Sequence, residues 1–175
     1  MALMLSLSLG SIGAGAFSLA IFTDTDASGG SFTAGTIDIA TNPSTLFTVA
    51  AMMPGDTQSA TLTVQNNGTG QLRYAMTSSS TDPDSKALRT QLSVDIKAGA
   101  CPGSGTALYS GVLGASTAKF GDTTAGAQAG DRTLNAGSSE QLCFAVSLPL
   151  ATGNAYQGAT TAATFTFSAE QTANN

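Results

Sequence analysis

The chain contains no histidine. That absence removes Ser-His-Asp and Cys-His nucleophilic arrangements and any zinc site of the H-E-x-x-H type. Cysteine is nearly as scarce, with Cys101 and Cys143 alone among 175 residues, so a four-thiolate metal site cannot be built within one chain. Charge is thin as well: six Lys plus Arg stand against eleven Asp plus Glu. No charged side chain precedes Asp24, so the net charge of −5 belongs wholly to the residues from Asp24 onward. An acidic, weakly charged domain is not drawn to phosphate backbones or anionic lipid, which argues against nucleic acid as a partner. Paired carboxylates for glycoside hydrolysis would have to come from few candidates, Glu140 and Glu170 among them, and nothing marks them as special. "STAK" at Ser116 to Lys119 has the S-x-x-K spacing of penicillin-binding enzymes but neither their helix nor their companion motifs.

What fills the space left by charge is Thr, Ser, Ala, Gly and Asn, the composition of a β-rich surface protein. Residues 1–20 form an uncharged apolar leader in which Leu3, Leu5, Leu7, Leu9, Ile12 and Phe17 are diluted by glycines and serines. It suits a signal peptide better than a permanent span, which needs about twenty strongly apolar residues. Small residues at Ser18 and Ala20 place the cut before Ile21, and Ala14 with Ala16 offers a second site. The basic n-region of such leaders is missing. An uncleaved leader would instead make the protein a membrane-anchored surface module.

Beyond the leader, short runs of period two alternate with turns. Residues 21–34 read as an N-terminal segment and 35–175 as one domain. Its first core strand is expected over Gly35–Ala40 with Ile37 and Ile39 inward. A less regular run covers Leu46 to Ala51. A half-buried strand at Ala60–Gln65 is expected to turn at "NNGTG" through a hairpin into Leu72, Tyr74 and Met76. That turn also accounts for the glycosylation-type triplet at Asn67. "MPGD" at Met53 to Asp56 has the Pro-Gly order of a type II turn. "DPDSKALRTQL" predicts one short helix from Asp82 to Leu92, with Asp82 as N-cap and Pro83 at its first position. Leu92, Val94 and Ile96 resume the strand pattern. The Gly-rich stretch 99–130 reads as loops with one or two short strands, and strong strands return at 141–148 and 164–168. Seven to nine short strands without helical repeats predict an antiparallel β-sandwich.

Two constellations bear on chemistry. Cys101 and Cys143 fit a disulfide in a secreted chain, the alternative being two separate thiols. Asp24, Asp26, Ser28 and Gly29 occupy positions one, three, five and six of a calcium loop, but Gly35 stands where the bidentate Glu belongs, and a polar turn explains the same residues. No other cofactor is suggested.

The leader, then "IFTDTDASGGSFTAGTIDIA", "MPGDTQSATLTVQNNGTGQLRYAMT" and "NAYQGATTAATFTFSAEQ" together resemble the TasA and camelysin group of secreted proteins. The resemblance implies a jelly-roll sandwich, removal of the leader by a signal peptidase, and self-assembly into extracellular fibres of the biofilm matrix or cell surface, alongside other matrix components. It also implies that Ile21, Phe22, Thr23, Asp24 and Thr25, freed at the new N-terminus, add as a strand to a neighbouring subunit. Camelysin is described as a metallopeptidase. A chain without histidine or a metal motif gives that activity no support, and the sequence reads as a structural subunit rather than an enzyme.

Overall fold

The computed structural model describes residues 28–174. The leader, the cleavage site at Ser18, Ala20 and Ile21, the segment Ile21–Thr25 and the calcium candidates Asp24 and Asp26 lie outside that range. Two compact units divide the chain at Thr33 and Ala34. In the first, residues 28–33 have no regular structure and are exposed, Ser28 and Phe32 included.

The second unit is nearly all β, in two antiparallel sheets. Its strands are β1 (Ile39–Asn42), β2 (Thr57–Asn66), β3 (Leu72–Ser80), β4 (Ser93–Ala98), β5 (Ala107–Val112), β6 (Arg132–Leu134), β7 (Ser139–Ser147) and β8 (Ala163–Gln171). One sheet has the order β1-β2-β7-β4-β5 and the other β6-β3-β8. The strong alternating runs read from the sequence form the long strands, and their inward residues make one core from Leu62, Val64, Leu72, Tyr74, Met76, Val94, Ile96, Leu142 and Phe144.

Three local expectations are corrected. The "NNGTG" segment is not a hairpin: β2 and β3 belong to different sheets, and the turn carries the chain across the sandwich. Asn66 decides this. Its buried side-chain amide donates to the carbonyls of Gly70 (2.8 Å) and Leu134 (3.1 Å) and accepts from the Gly68 N–H (2.9 Å), which fixes a corner rather than a two-residue loop. The first strand begins four residues later than its pattern suggests. Thr36 to Asp38 are taken up by that corner, with Thr36 O accepting from Thr69 N and Gly70 N, and Asp38 O accepting from Asn67 N. Ile37 is consequently 38% exposed instead of inward. Gly68 is needed here, because a Cβ on it would stand 2.4 Å from Thr36 O.

The helix over Asp82–Leu92 is reduced to a single 3-10 turn at Leu88–Thr90. Ser85 and Ala87 adopt left-handed backbone, and Asp82 reaches Ala87 N, five residues on, rather than capping a helix (2.8 Å). Asp84 is drawn away by the Thr160 N–H at 2.6 Å. Tertiary fastening therefore overrides local helix preference. The irregular run at 46–51 is likewise no strand. Elsewhere the turn chemistry holds: Asp56 N donates to Met53 O (2.9 Å), and Gly55 sits at φ +98° as the Pro-Gly pair requires. Cys101 is joined to Cys143, tying the 99–106 loop to β7.

Candidate functional site

The two sheets do not close on each other at one side. In a complete eight-strand jelly roll the orders are β2-β7-β4-β5 and β1-β8-β3-β6. Here the first set is present in full, but β1 pairs with β2 and passes beside β8 without bonding to it. Among the described strands β8 pairs with β3 alone, in unbroken register from Ser80↔Ala163 to Leu72↔Gln171. Among the described residues no hydrogen bond engages its far edge between Ala163 and Ser168.

Beside that edge lies a groove of about 920 Å³. Its floor is Leu62, Val94 and Val146 from the larger sheet with Leu148 just beyond β7, and its wall is Phe165 and Phe167 from β8. Both phenylalanines point inward yet remain half-buried, whereas Phe144 across the core is fully buried. The difference follows from position: Phe144 has strands on both sides, and among the described strands β8 has one neighbour, β3. Among the described residues no charged side chain lines the groove. The Thr152 hydroxyl on its rim is buried without a partner among the described residues. An apolar trough beside a row of free main-chain groups suits an extended peptide, whose backbone bonds to the edge while alternate side chains fill the trough.

The other long free edge is unlike it. Strand β5 is broken from full register by a bulge at Ile96/Lys97, and the Tyr109 hydroxyl donates to Val112 O (2.6 Å), satisfying that carbonyl from the strand's own side chain. Bulges of this kind discourage strand addition. β8 has no such device, no proline and no lysine.

The groove lies at the end of the sandwich where β2 and β8 begin. The chain enters the sandwich at the opposite end, where Thr36 is clamped to the β2–β3 corner. Groove and point of chain entry thus sit at opposite poles of one subunit.

Charged residues serve other purposes. Glu140 of β7 accepts from the Tyr74 hydroxyl (2.6 Å) and from Arg132 Nε (2.9 Å to each oxygen), and pairs with Arg132 Nη2. This network bolts the small sheet to the large one. Burial, followed by the Glu140 contact, pushes the Tyr74 hydroxyl far above the usual tyrosine range. Hydrogen bonding to Glu140 raises Arg132 further. Glu170, on the outer face, pairs with Arg73 (3.0 Å) and accepts from Gly126 N (3.0 Å). Asp131 accepts from Asp122 N and Gln128 N, and Asp122 is held below the ordinary carboxylate range by Thr124. These carboxylates fasten the 121–131 loop over β3. Glu140 and Glu170 therefore belong to separate networks, one with Tyr74 and Arg132 and the other with Arg73 and Gly126. Ser116 and Lys119 are exposed on a turn, which leaves the S-x-x-K spacing without a site.

Residues 1–93, more than half of the 175, match the protein family described as camelysin metallo-endopeptidase. The chain belongs to the camelysin family. No curated protein matches it. The camelysin match spans β1 to β3 and the corner between them, while β8, the wall of the groove, lies in the unmatched half.

The camelysin family description implies a catalytic metal, and the residues do not fit one. Histidine is missing from the whole sequence, both cysteines are spent in a disulfide, and among the described residues no three of Cys, Asp or Glu gather as ligands. Among the described residues no helix is long and apolar enough to cross a membrane.

The sequence could not have shown the groove, because its walls come from strands about a hundred residues apart. One signal was present: the alternation at 164–168 puts Phe165 and Phe167 on one face, and two large aromatics so placed mark a face that needs a partner.

Proposed function

We propose that this camelysin-family domain is a secreted structural subunit that polymerises head to tail into fibres of the extracellular matrix or cell surface. In this reading a signal peptidase cuts after Ala20, and the freed segment Ile21–Thr25 of one copy adds along the upper edge of β8 in the next. The carrying observation is the unprotected β8 edge beside an apolar, uncharged groove. Two further points support it. Five residues of strand span about 17 Å, the same as the half of β8 from Ala163 to Phe167 that borders the groove. Residues 26–34 then provide a tether of up to about 30 Å. The groove and the point of chain entry lie at opposite poles, so each subunit offers a donor at one end and an acceptor at the other, a heterologous contact that propagates instead of closing.

Negative-stain microscopy and sedimentation of the mature protein, with and without Ile21–Thr25, test the proposal. Loss of fibres with retention of a folded monomer is expected. Fibres that persist in the truncated protein would refute strand donation.

A further inference from the structure

The groove is not bare. Of the residues between β1 and β2, the first twelve, 43–54, run along it and contribute much of its lining. Leu46, Phe47 and Met52 pack against the core from this segment, and all three remain half-buried. Its main chain is bound to nothing: among the described residues, no backbone hydrogen bond involves positions 43–52. Both ends, by contrast, are fixed. At one, β1 is laddered to β2 as far as Asn42↔Thr63. At the other, Met53 N donates to Asp56 Oδ2 (2.8 Å), Asp56 N to Met53 O (2.9 Å) and Gly55 N to Leu148 O (2.7 Å).

We infer that residues 43–54 form a displaceable strap that covers the groove in the free subunit and yields to an incoming strand, so that its release limits assembly. The inference rests on the strand-addition reading above and concerns its regulation. A segment attached at two points and held between them by three partly buried side chains leaves the groove by rotation about its ends, without breaking main-chain hydrogen bonds. An added strand would bond to the β8 edge as the strap does not, so replacement is favoured once the strap has lifted. A groove competent for only a fraction of the time binds its strand with affinity reduced by that fraction. The strap thereby restrains premature association, a role that charges or bulges play on other sheet edges.

Leu46→Ser with Phe47→Ser in the full mature chain tests this, with Val49→Ser as control, because Val49 lies on the same segment and is not among its core-packing residues. Below the assembly concentration, binding of the apolar dye ANS should rise several-fold. Above it, fibres should form roughly tenfold faster, the factor that corresponds to 1.4 kcal/mol of weakened strap docking. The control should change neither. Near-UV circular dichroism confirms folding, and Leu46→Ala alone replaces the double variant if that variant unfolds. Unchanged dye binding overturns the inference. Raised dye binding with unchanged assembly overturns the strap's control of association. Fibres that survive deletion of Ile21–Thr25 are the separate result that tells against strand donation itself.

Discussion

Replacing Ile21 and Phe22 together by serine probes how one subunit recognises the next. The groove proposed to receive them has no charged residue among its described lining and is floored by Leu62, Val94, Val146 and Leu148, with Phe165 and Phe167 as its wall. Fully burying an aliphatic or aromatic side chain contributes about 1.5–3 kcal/mol, so two such anchors contribute about 3–6 kcal/mol. The backbone of a five-residue strand adds on the order of five hydrogen bonds at about 0.5–1.5 kcal/mol each, and the serine variant keeps those. Association costs from about 4 to 15 kcal/mol, so the backbone term alone leaves the contact near or below balance and the two side chains decide the outcome. The critical concentration for fibre formation should rise by roughly two to four powers of ten. Sedimentation of the mature protein over a concentration series measures it. The double variant should remain a monomer with unchanged urea midpoint, since the residues of the sandwich core are untouched. A critical concentration within about threefold of the parent would show that these side chains do not enter the groove and would remove the basis for strand donation.

Four further outcomes concern what holds the subunit together. Glu140→Gln should destabilise the domain by about 2–3 kcal/mol, read as a lower urea midpoint at constant slope. The value is held down by the partial exposure of the Arg132 side chain, 25%. Tyr74→Phe should cost less in the Glu140→Gln background than alone, by about 0.5 kcal/mol or more, because both positions belong to one network; strictly additive effects would refute the coupling. At alkaline pH the sign follows from Tyr74, whose folded value lies above its ordinary value of 10.0. Its contribution is complete below that value and is lost as pH rises beyond it, because the unfolded chain ionises first. Absorbance of tyrosinate should therefore show Tyr74 ionising only as the protein unfolds; ionisation in a folded domain would refute its burial. Replacing Cys101 and Cys143 by serine releases a loop of sequence separation 42 and should lower stability by up to about 4 kcal/mol, measured by urea unfolding against the oxidised parent.

The parts of this fold legible in the sequence are those in which a residue's neighbours along the chain decide its place. Leu142, Phe144, Val146 and Leu148 alternate because β7 has core on one face only, and period two survives any arrangement of partners. The corner at Asn66 was not legible for the opposite reason. An Asn-Gly pair between two alternating runs is the local signature of a hairpin. What redirects the chain is the Asn66 amide bonded to Leu134 O, 68 residues away. The helix at 82–92 fails likewise, since Asp84 is held by Thr160, 76 residues on. For the site, the sequence supplied the proposed donor, a segment adjoining a cleavage pattern, and on the acceptor side only the pair Phe165 and Phe167 on one face. The proposed acceptor is a strand edge beside a groove, and which strand lies next to β8 is decided by the topology rather than by the residues of β8.

The same asymmetry bears on why a sandwich would keep such an edge. Strand β5 shows that this chain can blunt an exposed edge, with a bulge at Ile96/Lys97 and a tyrosine bonded to its own strand. A fold stabilised as an isolated monomer would treat β8 in the same way, or let β1 pair with it. β1 instead joins β2, and Phe165 and Phe167 stay half-buried, a cost in unburied apolar surface borne by every free subunit. An arrangement that leaves apolar surface half-covered in the monomer, at the pole opposite the point where the chain enters the sandwich, is understandable if the monomer is not the final state. The strap at 43–54 fits the same logic. Its main chain is unbonded over most of its length, and it lies over the groove where an added strand would complete the second sheet. In the proposed assembly, the energy of strand addition would be held back by a segment that can leave without unfolding anything else.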